Sequence, residues 1–221
     1  MKGRRRVILA IVEGHGEQSA VPVLLRRWFR HRRFRNFETP DLAIRAPGSG
    51  ALTCPHDDDD ALGVEYYVAL AAAERPDGIL IMLDADDECI DRSRSARQGL
   101  GPELLARARA VAPHIPIEVV IANREYEAWF LAGLAALRRA SKVPLGARLK
   151  ASLASVEEIR DCKKRMSDLL GRRYEETVDQ HDFTATLPFS PSMGVRSRSY
   201  RKLLKALDAL ANAARARPSR G

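Results

Sequence analysis

The chain alternates short apolar runs with longer segments in which apolar residues recur at helical spacing. Continuous apolar runs are typical of strands covered on both faces, and the 3.6-residue period is typical of helices packed against them. The predicted strands cover residues 6–12, 41–46, 79–83 and 115–122, and the predicted helices cover 19–31, 62–75, 102–112 and a segment from 123 to 131. This alternation predicts an α/β fold with a Rossmann-like central parallel sheet of about four strands between helices.

The remaining third of the chain lacks strand-like runs. Residues 140–154 are less apolar and contain Pro144 and Gly146, so we place a boundary there. Helical spacing then returns, and Ser197 or Ser199 could cap a last helix. We predict an α/β domain over residues 1–138, a helical extension packed on it over 139–212, and a basic tail over 213–221. Cys162 falls on the apolar face of a predicted helix, which favours a packed thiol over a nucleophile.

The composition suits a globular protein with an anionic partner. The 221 residues are 45% apolar and 30% charged, with a formal net charge of +8. This charge favours nucleic acid as a partner, although a basic protein from an arginine-rich proteome would look the same. The arginines between residues 26 and 35 either face phosphates or complement a helix C-terminus. The candidate nucleic-acid contacts are Arg30, Arg33, Arg196 and Arg198.

Cysteine usage and hydropathy bear on the compartment. The three cysteines are odd in number and far apart, which indicates a reducing environment without a disulfide framework. No apolar run reaches the length that crosses a bilayer. We therefore expect a cytoplasmic protein.

Carboxylates follow three of the predicted strands directly. The carboxyl ends of parallel strands meet at one edge of a sheet, where open α/β folds hold their ligands. Asp84 and Asp86 are two residues apart, so an extended segment directs both to one side. The acids are Glu13 and Glu17 after the first strand, Asp84, Asp86 and Asp87 after the third, and Glu125 and Glu127 after the fourth.

Converging carboxylates repel one another unless cations lie between them. Oxygen ligands suit Mg²⁺ or Mn²⁺, and one or two such ions can polarise a phosphodiester, orient water and stabilise the leaving oxygen. The alternative is that these acids only cap the helices that follow the strands. The run Asp57 to Asp60 is interpreted as an acidic loop, because successive side chains do not converge on one ion.

The two acidic motifs match a known family. Glu13-Gly-His-Gly-Glu17 after one strand and Asp84-Ala-Asp86 after another resemble the Toprim domain of topoisomerases, bacterial primases and OLD-family nucleases. The resemblance implies a compact four-stranded parallel sheet between helices. It also implies that Glu13 acts as a metal ligand or general acid/base, and that Asp84 and Asp86 hold divalent metal.

Further motifs narrow this resemblance. Glu125-Tyr-Glu-Ala-Trp-Phe, Lys163-Lys164 near Tyr174, and Ser197-Arg-Ser-Tyr-Arg resemble a compact group of bacterial Toprim proteins. That group is similar to the Toprim half of OLD nucleases and is often associated with ATPase partners in phage defence. By resemblance, Glu127 is a further acidic site residue, and Lys163 or Lys164 contacts phosphate or the transition state.

Nuclease chemistry is the leading functional hypothesis. It assigns Glu13, Asp84, Asp86 and Glu127 to the metal and Lys163 to catalysis, with Glu17, Asp87, Glu125 and Lys164 as secondary candidates. Two alternatives stay open at this point. One is a Toprim module that binds nucleic acid or an ATPase without cleavage, and the other is a small-molecule phosphohydrolase with the same metal chemistry.

Overall fold

A computed structural model describes residues 5–47, 50–54, 62–85, 99–144 and 156–217. The strands are β1 (Arg6–Val12), β2 (Phe37–Glu38), β3 (Ile44–Arg45), β4 (Gly78–Ala85) and β5 (Ile117–Asn123). The helices are α1 (His15–His31), α2 (Gly63–Ala73), α3 (Leu100–Val111), α4 (Glu127–Ala132), α5 (Leu134–Arg139), α6 (Cys162–Leu170), α7 (His181–Thr184), α8 (Pro191–Arg196) and α9 (Arg198–Ala216). A 3₁₀ turn covers Val156–Glu158, and a π-helical turn covers Glu176–Gln180.

All strand pairs in the described sheet are parallel, as predicted. β4 pairs with one side of β1, and β5 pairs with the far side of β4. The two short strands β2 and β3 pair with opposite ends of β1, so together they fill the remaining edge. After β1 the chain forms β2 and β3 on one side of that strand and then crosses to its other side to form β4. The strand order reverses between β1 and β4, which is where open α/β sheets bind ligands.

The sheet separates two apolar layers because alternate residues of each strand point to opposite faces. One layer contains Ile8, Ala10, Leu80 and Met82, and it is covered by α1, α4 and the C-terminal helices. The other contains Leu9, Ile11, Ile79 and Ile81, and it is covered by α2 and α3. Both layers are closed to solvent, which explains why the strands read as unbroken apolar runs. The predicted fold class is confirmed.

The first helix begins four residues earlier than predicted. The sequence makes Ser19 a candidate cap of this helix and places Pro22 in its first turn. Both predictions are wrong, because the N-cap is Gly14 and Pro22 lies inside the helix. Proline has no N–H to donate to the carbonyl four residues back. That carbonyl, Gln18 O, instead accepts a hydrogen bond from Ala43 N at 2.8 Å. Because of Pro22, the Gln18 carbonyl is available to bind Ala43, and this hydrogen bond joins the segment before β3 to α1.

The last helix runs along the sheet and is fastened at its start. α9 packs on β5 and β4, and Tyr200 N donates to Ser197 Oγ at 3.0 Å, which confirms the predicted Ser197 cap. Glu157 Oε1 accepts from Ser197 Oγ, Ser199 N and Ser199 Oγ at 2.8, 2.6 and 2.6 Å. The first apolar layer includes α9, although the division of the chain at residue 138 stays a prediction. No helix in the described ranges has the length and apolarity needed to cross a bilayer.

We predict that Glu157→Gln destabilises the protein by about 2 kcal/mol at pH 7, the usual value of hydrogen bonds to a charged group. Burial alone would raise the pKa of Glu157, but hydrogen bonds from Ser199, Ser197 and Asn123 outweigh it and lower that pKa. A lowered pKa stabilises the fold above the unfolded value of about 4.3, and this contribution is lost as the pH falls through the folded value.

The measurement is urea unfolding of wild type and Glu157→Gln at several pH values, with the exposed neighbour Glu158→Gln as control. The stability difference should be full at pH 7 and should shrink on acidification below about pH 4. Equal stability of Glu157→Gln and Glu158→Gln at pH 7 would contradict the assignment.

Candidate active site

Three carboxylates from three strand ends lie together beside the point where the strand order reverses. Glu17 stands in the first turn of α1, Asp84 is the penultimate residue of β4, and Glu127 is the first residue of α4. Each acid directly follows or ends a strand of the parallel sheet, so the topology brings them to the same edge. Glu127 is 1% exposed, and Asp84 is partly accessible.

The three acids repel one another. Burial raises the pKa of Asp84 well above its ordinary value, and Glu17 and then Glu127 add to that rise. Burial also raises the pKa of Glu127 to about 8, with a further contribution from Glu17. Because desolvation and like charges both disfavour the ionised form, protons are retained here at neutral pH in the absence of a cation.

Several polar atoms around these acids have no hydrogen-bond partner among the described residues. They include Glu17 Oε2, both oxygens of Glu127 and Gln180 Oε1. The Tyr174 hydroxyl lies near Glu127, and burial and then that carboxylate raise the pKa of Tyr174, yet the two groups do not meet hydrogen-bond geometry. An unsatisfied buried polar group costs about 1–3 kcal/mol, so a cluster of them indicates a site that binds something.

The glycines of the first motif make room for this cluster. A Cβ atom at Gly14 would lie 1.8 Å from Glu17 Oε2, and one at Gly16 would lie 1.6 Å from Gln180 Oε1. Any larger residue would displace the carboxylate or the amide. Gly14 and Gly16 therefore allow the acidic and amide side chains to fold back over the turn between β1 and α1.

A lysine provides positive charge at the same place. Lys163 N donates to Glu125 Oε2 at 3.0 Å, and Lys163 Nζ forms a salt bridge with Glu176 Oε1 at 2.6 Å. Burial lowers the pKa of Lys163, but Glu127, Glu176 and Asp84 outweigh it and raise that pKa overall. The lysine therefore stays protonated beside the acids. Its neighbour Lys164 pairs with Asp168 at 3.4 Å on the exposed side of α6.

The other predicted site residues have different positions. Gly50 N donates to Glu13 Oε1 at 2.6 Å, so this carboxylate is engaged by the loop after β3. Asp86 and Asp87 lie outside the described residues, as does the acidic run 57–60. Glu125 accepts the backbone N–H of Lys163 in the first turn of α6, which is a capping contact. Cys162 is a packed thiol as predicted: it donates to Ile159 O, and burial raises its pKa to about 12.

Residues of the π-helical turn Glu176–Gln180 were missed from the sequence. Gln180 Nε2 donates to Glu17 Oε1 at 3.2 Å, and Glu176 pairs with Lys163. Gln180 is 1% exposed, which is unusual for an amide side chain. The sequence predicts only a short helix over residues 174–187, and no local spacing relates Gln180 to Glu17. The tertiary contact between α1 and this turn brings them together.

The donor chemistry of the cluster fits a hard cation. Glu17, Asp84 and Glu127 present carboxylate oxygens, which Mg²⁺ and Mn²⁺ prefer, and three of these oxygens have no other partner among the described residues. Within the same residues, no group of three or more His, Cys, Asp or Glu side chains is already arranged to hold a metal ion. The predicted Mg²⁺ or Mn²⁺ site therefore stays a prediction.

A basic groove of about 480 Å³ lies beside the carboxyl end of β5. Asn123 and Glu157 line it on one side, and one face of α9 lines it on the other. No cation of that face forms a salt bridge with a described acid, so the groove is positively charged. The cations, spaced at i, i+3, i+4 and i+7, are Arg198, Arg201, Lys202 and Lys205.

The four candidate nucleic-acid contacts do not share one surface. Arg198 lines the groove beside β5, whereas Arg33 lines a separate pocket at the other end of the sheet. Arg196 Nη1 donates to Ala132 O at 3.1 Å, which fixes α8 to α4. Arg30 is exposed on α1. Of the four, only Arg198 lies next to the strand ends that carry the acids.

Fold and site define an α/β protein with a parallel sheet and a buried carboxylate cluster where its strand order reverses. The chain belongs to the family described as Domain of unknown function (DUF4276), whose model matches residues 12–208. No curated protein matches the chain significantly.

Two solved structures are similar to it, both of the C-terminal region of the OLD protein of Xanthomonas campestris pv. campestris, phased with platinum or with iodine. Each is 18% identical. The first covers 94% of this chain and 95% of its own with a TM-score of 0.41, and the second covers 96% and 98% with a TM-score of 0.38.

We predict that Glu127→Gln stabilises the metal-free protein at alkaline pH by about 2 kcal/mol, because it removes a buried charge whose oxygens accept no hydrogen bond among the described residues. The folded pKa of about 8 exceeds the unfolded value of about 4.3. Stability from the protonated form is full below the unfolded value and is lost as the pH rises through 8. In EDTA, the melting temperature of Glu127→Gln should exceed that of wild type at pH 9, and the gap should close below about pH 4.

The exposed Glu103→Gln is the control, since it should match wild type at both pH values. A Glu127→Gln variant that is less stable than wild type at pH 9 would show that Glu127 is a structural group with partners in solution.

Proposed function

We propose that this protein hydrolyses phosphodiester bonds of nucleic acid with Mg²⁺ or Mn²⁺ bound at the carboxylate cluster. The observation that carries the proposal is the convergence of Glu17, Asp84 and Glu127 from three strand ends, with buried oxygens that lack partners among the described residues. A binding module that needs no cation would be more stable without these repelling charges. The Toprim-like motifs of the sequence support the same reaction class.

The residues of the site have separate roles in this proposal. Glu17, Asp84 and Glu127 would hold the cation, and Asp86 stays a further predicted ligand. When bound, the cation supplies Lewis-acid stabilisation of phosphate charge and lowers the pKa of bound water. Lys163, protonated and held by Glu176, is placed to contact a phosphate oxygen. Because Glu127 retains a proton near neutral pH, cation binding should release protons and should strengthen as the pH rises.

The groove beside β5 provides a path for the substrate. Four cations on one face of α9 form no salt bridges with described acids, so they are available to phosphates. They also offset the repulsion between a polyanion and the acidic cluster. A small phosphorylated substrate would not require a charged face of that length, so the groove favours nucleic acid over the small-molecule alternative.

One observation favours binding without cleavage as the second candidate. In the described residues, no ligand group is already arranged around a metal position. A module that only binds nucleic acid would use the basic groove and leave the acids protonated. A partner ATPase and a role in phage defence stay predictions from the family resemblance.

Cleavage assays decide between the two candidates. We expect wild type to cut labelled DNA or RNA in Mg²⁺ or Mn²⁺, and Asp84→Asn and Glu17→Gln to reduce the rate at least about 100-fold, since each removes a ligand of the cation. Glu13→Gln tests whether Glu13, predicted from the sequence as a metal ligand or general acid/base, also contributes to cleavage. Glu103→Gln is the control.

Thermal melting gives a readout that does not depend on activity. Mn²⁺ should raise the melting temperature of wild type but not of Asp84→Asn, because a ligand that binds only the folded state stabilises it. Binding of nucleic acid without cleavage, together with no Mn²⁺ effect on melting, would replace the nuclease with the binding module.

A further inference from the structure

A second cationic pocket lies at the opposite end of the sheet from the carboxylate cluster. Its volume is about 620 Å³, within the range of ligand sites, and it is open to solvent. It is formed where β1 begins, where the chain leaves α1, and where α9 ends. Five arginines and two phenylalanines contribute to its lining. The pocket takes no part in the proposed hydrolysis.

Five of the six arginines between residues 26 and 35 fall into two groups. Arg26 forms a salt bridge with Asp41 at 2.9 Å, and Arg32 forms one with Asp208 at 3.0 Å. Arg27 donates to Thr184 O and Leu187 O, both at 2.8 Å. The side chains of these three arginines are already engaged by other segments of the chain. Arg33 and Arg35 are exposed in the pocket and form no salt bridge with a described acid.

A third guanidinium belongs with Arg33 and Arg35. Arg215, in the last turn of α9, lies over the Phe34 ring at 5.6 Å and likewise forms no salt bridge with a described acid. Nearby acids are already engaged, since Glu38 pairs with Arg5 at 3.0 Å and Asp208 pairs with Arg32. Arg6 donates to carbonyls at the end of α9, so it builds the pocket wall. The three remaining guanidiniums make the pocket a site for an anion.

Arg33 occupies a position where the backbone favours glycine. α1 ends with Phe34 N donating to Phe29 O at 2.7 Å and Arg33 N donating to Arg30 O at 3.1 Å. This is the Schellman arrangement, whose left-handed residue is usually glycine. Arg33 has φ of 57°, so its side chain incurs a steric cost that glycine would avoid. The turn does not need the guanidinium, so an Arg33→Gly variant removes the charge without straining the backbone.

The aromatic rings of the pocket indicate the kind of anion. Phe34 and Phe37 are only partly buried, and their ring centroids are 5.4 Å apart. Guanidiniums bind phosphates through paired hydrogen bonds, and aromatic rings provide stacking surfaces for unpaired bases. An acidic peptide would match the charges but would have no use for the rings. Phosphate groups and bases together match both features.

We propose that this pocket binds single-stranded nucleic acid, with Arg33, Arg35 and Arg215 on the phosphates and Phe34 beside a base. Binding here requires neither a metal ion nor cleavage, because the pocket and the carboxylate cluster lie at opposite ends of the strands. The pocket would retain a strand whose other part lies in the groove beside β5.

The experiment measures fluorescence anisotropy of labelled single-stranded oligonucleotides with the full chain in EDTA. Arg33→Gly should weaken binding about 10-fold at low salt and reduce the slope of log affinity against log salt by about one, as expected for loss of a phosphate contact. Its melting temperature should equal or exceed that of wild type, since glycine suits the left-handed position.

The control is Arg75→Gly. Arg75 is also exposed with a positive φ, 52°, and it follows the end of α2 outside the pocket. The variant therefore makes the same change of charge and backbone. Equal affinities of Arg33→Gly and Arg75→Gly would overturn the proposal.

Phe34→Leu tests the class of ligand. It should weaken oligonucleotide binding while leaving binding of polyglutamate unchanged, because only bases use the ring. Equal weakening of both, or no effect on the oligonucleotide, would overturn the assignment to nucleic acid. Because binding is measured in EDTA without cleavage, a failure of this proposal is distinguishable from a failure of the proposed hydrolysis.

Discussion

The repulsion among Glu17, Asp84 and Glu127 is the constraint on which the rest of the site depends. Carboxylates from three strand ends meet where water is largely excluded, and several of their oxygens have no partner among the described residues. Such a cluster opposes folding unless protons or a cation neutralise it. The surrounding structure keeps these three carboxylates close together and offsets part of the free energy that their repulsion costs.

Three features of the fold supply that support. The sheet places the acids at rigid strand ends, and the glycine turn lets Glu17 fold back beside Gln180. Lys163 provides a positive charge that is itself fixed by Glu176. Glu157 accepts hydrogen bonds from the start of α9 and so fixes the helix that carries the basic groove. The C-terminal segment thus completes a site that begins in the first strand.

Charge is distributed unevenly over the molecule. The carboxyl ends of the strands carry the acids with a basic groove beside them, while the amino ends carry a pocket of arginines. α9 runs from one end to the other, with Arg198 near the acids and Arg215 at the remote pocket. One helix therefore fixes the distance between the two basic surfaces, an arrangement that suits a long anionic partner.

The sequence by itself determined the elements that local pattern controls. Alternating apolar runs and helical periods predicted the parallel α/β sheet, and the position of acids after strands predicted a candidate site at one edge of it. Ser197 was correctly predicted as a cap, whereas the start of α1 was not. The helix begins directly after Gly14, and Gly16 in its first turn packs against Gln180, which is distant in sequence. Tertiary structure alone brought Gln180 and Glu176 to the acids. It also separated the arginines of residues 26–35 that contact other segments from Arg33 and Arg35, which form no salt bridge with a described acid. The contact of Gln180 with Glu17 joins residues 163 apart in the chain. The packing of the C-terminal helices decides such contacts, and local spacing does not encode them.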